Sequence, residues 1–474
     1  MRDYVLTAFI FAIIPVCLIK PWLGIIAWFW FGIMNPHRQT WDFAFTMPFA
    51  MLIGGATLIG LLFARDRRPI PWNRELVLMV ILMVYFTLTT FFAWAPSAAW
   101  VQWEKVFKIV LMTLVATMLI YGQHRIRTLM WTIVISIGFY GVKGFFFVLR
   151  SGGAERVQGP DGTFLEGNTF VGLAFNMVVP LMILMVRNEK NPWVKRLLYT
   201  MAILTIVSTI FTYSRGAYVG LVVMLPLIFL TAQKKVIAAC ILIPAALLAP
   251  VIIPDAVFQR ADKIENYQED RSANQRFQSW TVAWNLAKDY PLTGAGFEFE
   301  YSPDEDKWLS YASEKYSWAL QRSSAAHSIY FQMLGQHGYV ALLLFLAMLI
   351  GCLLSLNRTK KRAMANADTI WVAGYANGLQ VGLIGYMVSG AFLSSAYFDL
   401  AWLFFALTAI CAREVEQVSD HRYRMKPGRG KASPGQVPTV SGETAASGTA
   451  GAVRSAPKDE PRSRWLGSAR PDKM

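Results

Sequence analysis

The sequence predicts an all-α polytopic integral membrane protein, and three observations carry that prediction. Of its 474 residues 55% are hydrophobic and only 16% charged, where a soluble domain carries about 25% charged residues. Apolar runs recur from Tyr4 to Cys411, each near the roughly 20 residues that a helix needs to cross a bilayer. The runs do not alternate apolar with polar residues, so they suit helices whose backbone satisfies its own hydrogen bonds rather than barrel strands. With a mean hydropathy of +0.38, the chain is neither a disordered protein nor a soluble enzyme.

The runs fall at 4–34, 43–64, 75–94, 104–121, 128–149, 167–187, 196–213, 216–232, 236–253, 326–356, 370–390 and 397–412. Basic clusters punctuate alternate connections: Arg65/Arg67/Arg68/Arg74, Arg125/Arg127, Arg187/Lys190/Lys195/Arg196, Lys234/Lys235, Arg358/Lys360/Lys361/Arg362, then Arg413 onward. Two runs separate each cluster from the next, so all share one side, which the positive-inside rule makes the cytoplasm. The first run is ambiguous at Lys20-Pro21. Split in two it makes thirteen spans with an external N-terminus; unsplit it makes about 12 with both termini inside. Roughly 30 residues are short for two crossings, which favours twelve. The first run has almost no basic residues ahead of it and no small-residue cleavage site, so no cleavable signal is expected.

The opposite face then carries a Trp-rich turn (Pro96–Trp103), a Gly-rich loop (Ser151–Gly167), a tight Ser214-Arg215-Gly216 turn and a large loop, Pro254–Ala325. That last loop holds twelve acidic and eight basic residues. A helix is expected in it from Ser272, with Phe277, Trp280, Trp284 and Ala287 on one face and Pro291 after its end. Residues 254–325 therefore read as a folded cap within a membrane domain of residues 1–412. Residues 413–474 turn rich in Ser, Gly, Pro and basic residues without periodicity, the pattern of a disordered basic tail. The net charge of +15 sits at run ends and in that tail, so it sets topology and implies no nucleic-acid partner. Cys17, Cys240, Cys352 and Cys411 lie in or beside apolar runs without metal-ligand spacing.

The informative cations stand on the other side. Arg215 lies 19 residues beyond Arg196, about 28 Å along a helix, and Lys143 lies about 24 Å beyond Arg127. Lys105 and Lys108 share a face at the start of their run, and Arg150 and Arg156 open the Gly-rich loop. Ionisable residues within a bilayer are costly and mark functional paths. A group of Arg and Lys with only Glu104 nearby asks for an anion, and the planar guanidinium fork suits a phosphate. Snorkelling to the interface is the alternative for each. Arg271 and Arg276 near the start of the cap helix form a second group. His327 and His337 flank the entry to the tenth run, and either can act as a base near neutral pH or sit as a satisfied interface residue. On a straight helix His327 stands about 15 Å above His337 and the rings point apart; a bend at Gly335 or Gly338 would change that. No metal-binding or P-loop pattern appears.

Three motifs resemble those of the bacterial O-antigen ligases and their wider ligase/polymerase superfamily. Thr212-Tyr213-Ser214-Arg215-Gly216-Ala217 resembles the family's Ser-Arg-Gly turn. Arg276, Trp280, Ala283 and Pro291-x-x-Gly294-x-Gly296 resemble its large-loop stretch, and His327-Ser328 with Gly338 resembles its His-to-Gly signature. Ala341 stands where the family usually has Gly, Thr or Tyr. Glu166-Gly167-Asn168 and Gln336-His337-Gly338 are similar to those of O-glycosylation ligases associated with exosortase-type systems.

The resemblance implies a fold of the GT-C-like class of lipid-linked glycosyltransferases in the bacterial inner membrane. It implies transfer, at the periplasmic face, of a glycan from undecaprenyl diphosphate to an acceptor hydroxyl, for O-antigen ligases a lipid A-core sugar, without a metal or other cofactor. Glycan polymerisation and protein O-glycosylation share the same motifs. A transporter would need inverted repeats and coupling-ion acids, which the sequence lacks. Arg215 and Arg276 are the expected diphosphate ligands, with Lys105, Lys108, Lys143 and Arg156 in support. Arg215 is expected to act in catalysis too, and His327 is the expected base, with His337 as second choice.

Overall fold

The computed structural model describes residues 1–231, 271–320 and 322–425. The run at 236–253, Lys234/Lys235, the first part of the large loop and the part of the 413–474 tail beyond Met425 lie outside the described residues; residues 413–425 are helical. Within them the chain is a bundle of helices in one unit, Met1–Met425. In order these are α1 (Arg2–Ile19), α2 (Pro21–Met34), α3 (Phe49–Phe63), α4 (Arg74–Thr90), α5 (Pro96–Leu119), α6 (Gly122–Ser151), α7 (Gly167–Met185), α8 (Pro192–Ile210), α9 (Arg215–Thr231), α10 (Arg271–Asp289), the short α11 (Glu305–Leu309), α12 (Ile329–Met364), α13 (Ile370–Gly390) and α14 (Asp399–Met425). Five described stretches are both long and apolar enough to cross a membrane: Arg2–Ile19, Gly122–Ser151, Gly167–Asn188, Pro192–Ile210 and Ile329–Met364.

The preference for one broken N-terminal span is corrected by the structure. Proline lacks an N–H and pushes its predecessor out of the helical region; Lys20 has φ −127° and ψ 75°. The chain reverses there. Phe9 and Trp30, on opposite sides of the break, meet edge to face at 5.8 Å, so α1 and α2 form a hairpin. Small residues let its legs approach α3: a Cβ on Gly60 would lie 2.6 Å from the Leu18 carbonyl oxygen. The tip is near the basic end of the bundle, where Trp22 contacts His124 and the Arg125 guanidinium lies 5.0 Å from its ring. The start of the chain is at the other end, where Asp3 accepts hydrogen bonds from the Asp42 and Ala44 amides. The first run thus reverses on itself rather than continuing as one broken span. Its legs are short, at 18 and 14 residues.

The alternating basic clusters that fall within the described residues share one end. Arg68 pairs with Glu414 and Arg125 with Asp66. Arg413 donates to the carbonyls of Thr117 and Ile120, and Arg127 grips the buried Glu189 at 3.2 and 2.6 Å. At the centre α7 packs along α13. Apolar association alone drives little between helices in lipid, so close backbone approach at small residues matters. Gly378, Gly382 and Gly385 supply it: a Cβ on Gly382 would sit 2.3 Å from the Met177 carbonyl oxygen. Asn176 of α7 ties the layers together, donating to the Ala217 carbonyl at 2.9 Å and the Ser389 hydroxyl at 3.0 Å.

Residues 271–320 fold over the bundle with a small core of Val282, Leu286, Ala295, Phe299, Trp308 and Leu320. Gln278 closes it by donating to the Ser313 carbonyl and accepting from the Ser313 amide. The helix α10 falls where expected. Of the face named from the sequence Ala287 is buried, as are Ser279, Val282, Ala283 and Leu286 beside it, whereas Trp284 is 47% exposed. The close packing of Ala283 against Gly335 leaves no room for large rings. The aromatic residues instead line the side of α10, where Phe277 meets Tyr316, Trp280 meets Phe331 and Trp284 meets Tyr339.

Candidate functional site

Two of the three sequence motifs are locked together through backbone. Gly338 has φ 75° and ψ −171° inside α12, a region open essentially only to glycine. The helical ladder breaks there, and Tyr339 N–H cannot reach the Gly335 carbonyl. The Pro291-x-x-Gly294-x-Gly296 segment takes over the bonds. The Tyr339 amide donates to the Pro291 carbonyl at 2.9 Å, the Ala295 amide to the Gly335 carbonyl at 2.9 Å and the Gly296 amide to the Gln336 carbonyl at 2.8 Å. Every glycine of this junction is filled by its neighbour: a Cβ on Gly294 would lie 2.5 Å from the His337 nitrogen.

This lock buries His337 completely. Its Nδ1 is 2.6 Å from the Thr89 hydroxyl and its Nε2 is 2.9 Å from the Tyr397 hydroxyl. Tyr397 donates in turn to Gln336 Oε1 at 2.6 Å. The ring lies between Phe86 and Phe297, each 4.5 Å from it. The structure thus places His337 as a satisfied core residue with both nitrogens occupied.

His327 is placed otherwise. It precedes α12, so the straight-helix geometry does not apply to it, and its φ of 47° is a strained left-handed conformation for a non-glycine residue. Its amide donates to the Ser394 hydroxyl at 2.7 Å. The turn is pinned from above by Trp280, whose indole N–H donates to the Ala326 carbonyl at 2.8 Å and whose ring stacks on Phe331 at 5.0 Å. Burial first, then the positive charge of Arg276, holds the His327 imidazole below its ordinary pKa. The ring is therefore neutral at pH 7, and Arg276 is close enough to act on it.

Arg215 opens α9 from a turn of similar strain. Tyr213 has φ 54° and donates to the Gly153 carbonyl at 2.5 Å. Ser214 caps the helix through the Ala217 amide at 3.4 Å, and Asn168 donates to the Thr212 carbonyl at 2.8 Å. Gly216 packs on the end of α13: a Cβ there would meet Phe392 and the Ser389 carbonyl at 3.2 Å. The Ser-Arg-Gly turn and the His327 turn are thus seated on one connection, Ala391–Phe398, between α13 and α14. That connection carried no sequence signal, and Ser394 and Tyr397 were missed with it. A run of small and aromatic residues between two apolar segments looks like any interhelical loop.

The remaining cations do not join Arg215 in one cluster. Lys108 pairs with Glu104 on its own helix. Lys105 acts on Glu298, whose pKa burial raises and the lysine lowers. Glu298 and Glu300 were also missed. Burial and the neighbouring Glu298 push Glu300 up to about 8, so it holds its proton at neutral pH. Lys143 and Arg156 lie elsewhere again. They line a cavity of 690 Å³ together with Arg38, Gln39 and Tyr140. Its loop wall is fastened to the Arg215 turn, since the Val157 amide donates to the Phe211 carbonyl at 2.9 Å. Among the described residues no group of three His, Cys, Asp or Glu side chains could hold a metal ion.

Comparison with known families points to the same part of the chain. A family model described as O-antigen ligase matches residues 200–346. A second, described as a family of unknown function (DUF5935), matches residues 1–190. No curated protein matches the chain.

Proposed function

From the chain's place in the O-antigen ligase family, we propose that this multi-pass membrane protein is a glycosyltransferase. It moves a glycan from undecaprenyl diphosphate to a hydroxyl of a lipid A-core sugar at the periplasmic face of the inner membrane. The observation that carries this reading is the convergence of three distant segments. The turns bearing Arg215 and His327 share the Ala391–Phe398 seat, through Gly216 against Phe392 and the His327 amide on Ser394, and the charge of Arg276 acts on His327.

In the reaction the acceptor oxygen attacks the anomeric carbon, and the bond from that carbon to the diphosphate oxygen breaks. His327, kept neutral at pH 7, takes the hydroxyl proton. Arg215 and Arg276 meet the charge that grows on the leaving diphosphate, the form of stabilisation worth most in catalysis. The Tyr213–Gly153 and His327–Ser394 bonds hold the two strained turns in one arrangement. Undecaprenyl diphosphate leaves, and the acceptor keeps the glycan.

The test is transfer by the purified protein from a lipid-linked glycan, offered lipid A-core, a peptide or a second lipid-linked glycan. Transfer to lipid A-core, with turnover lost in Arg215→Lys while donor binding changes little, is expected. The lysine keeps the charge but not the planar fork, and the contact strengthens as the bond breaks. Transfer to the peptide or the second glycan alone would replace the acceptor. Wild-type turnover in a folded Arg215→Lys protein would remove the residue from the site.

A further inference from the structure

The cavity that holds Lys143 and Arg156 is not the site just described, because Arg215, Arg276 and His327 do not line it. It is built by three segments of the region of unknown function: the turn at 36–45, the outer part of α6 and the loop at 154–161. Its volume, 690 Å³, is in the range of small-molecule sites, about 300 to 1,000 Å³, and is far more than a lone phosphate requires.

Its chemistry is specific. Arg38, Lys143 and Arg156 all line it, and among the described residues none of them has a carboxylate within 4.0 Å. Arg38 is held in place from behind, its guanidinium 4.4 Å from the Phe45 ring and donating to the Gly162 carbonyl at 3.4 Å. Its Nε is buried and has no partner among the described residues, so the groups it can offer a guest are the other guanidinium nitrogens. Lys143 is aimed by a 3.0 Å bond to the Gln39 side chain. Neighbouring His37 adds no charge, since burial and Arg38 drop it to about 4. The rest of the lining is of another kind. Tyr140 and Phe147 add aromatic rings to the lining, and Gln158, Glu155 and Asp161 add polar side chains. An anion alone would not need the rings, and a greasy tail would not tolerate the charges.

We infer that this cavity is a saccharide subsite for a sugar bearing an acidic group. Arg38, Lys143 and Arg156 receive the phosphate or carboxylate, the rings flank the sugar, and the amide and carboxylate side chains meet its hydroxyls. The inference rests on the glycan-transfer reading for its choice of sugars, and the sugar can belong to the donor or the acceptor.

The experiment is equilibrium binding to the full chain in detergent. The probes are a disaccharide monophosphate, the same disaccharide without phosphate, inorganic phosphate and vesicles of phosphatidylglycerol. The phosphorylated disaccharide should bind tightest, with the neutral sugar and inorganic phosphate each at least about ten-fold weaker, one charge-assisted bond being worth that much. Lys143→Gln and Arg156→Gln, both at exposed positions, should each weaken it about ten-fold by the same conversion. Arg215→Lys should leave this binding unchanged, which separates failure of the subsite from failure of the transfer reading. Competition by lipid-linked donor or by lipid A-core then assigns the sugar's source. Equal binding of inorganic phosphate, displacement by phosphatidylglycerol, or unchanged affinity in both glutamine variants would overturn the proposal.

Discussion

Replacing Gly338 by alanine tests the lock between the cap and α12. The residue has φ 75° and ψ −171°, where a side chain costs about 1 to 3 kcal/mol in backbone strain. A Cβ would also stand 2.4 Å from the Pro291 carbonyl oxygen, which is backbone and has nowhere to go. Relieving that contact pulls Pro291 away from the Tyr339 amide and loosens the Ala295 and Gly296 bonds, each worth about 1 kcal/mol net. Strain plus one or two lost bonds sums to about 2 to 5 kcal/mol. Gly55 supplies the control. It lies in the helix α3 with nothing within 4 Å of an added Cβ, so Gly55→Ala should be neutral or stabilise by up to about 1 kcal/mol. Unfolding free energies of the two variants in mixed micelles give the comparison. A Gly338→Ala protein as stable as the Gly55→Ala protein would refute the account of the kink.

The two histidines should separate by phenotype. His337→Ala leaves the Thr89 and Tyr397 hydroxyls and a packed ring site empty, so it should lower stability by about 2 to 5 kcal/mol, whereas His327→Ala should unfold like wild type, bind donor and lose turnover; a stable but inactive His337→Ala beside an active His327→Ala would move the base role to His337. The pH profile should follow the imidazole. Burial and Arg276 hold its pKa below the ordinary 6.5, so the neutral base persists to lower pH, and the acid limb of turnover should rise in pH in Arg276→Gln through loss of the positive neighbour; an unmoved limb counts against that coupling. On the proposed mechanism, in which cationic side chains serve the leaving group, transfer should be full in excess EDTA; activity lost to chelator and restored by magnesium would refute this.

Spans and turns were legible because the bilayer and the backbone impose them locally. A helix must run about 20 apolar residues, and the Ser-Arg-Gly turn and the glycine of the kink announce themselves by residue type. What a segment meets is another matter. Lys105 and Lys108 read as neighbours of Arg215 because they share its depth, but depth is one coordinate of three. The charge of Lys105 acts instead on Glu298, nearly two hundred residues away and without a motif. Thr89 and Tyr397 are ordinary span residues until the kink aims His337 between them. The N-terminal run was misjudged for a different reason. Its length was weighed against full crossings, while Gly24 and Gly60 permit two short helices to pack where bulkier residues would not.

The stitches between the Gly-rich loop and the Arg215 turn have a consequence for how this chain can be taken apart. Val157 to Phe211, Tyr213 to Gly153 and Asn168 to Thr212 all cross from the region matched at 1–190 to the region matched at 200–346. The two matches meet in sequence near residue 195, but they are sewn together some way to either side. A chimera cut at that point would carry a foreign loop against a native turn. It would keep Arg215 and lose the bonds that aim it. The workable exchange is the stretch from Gly153 to Tyr213 as a whole, moved with both halves of its seam.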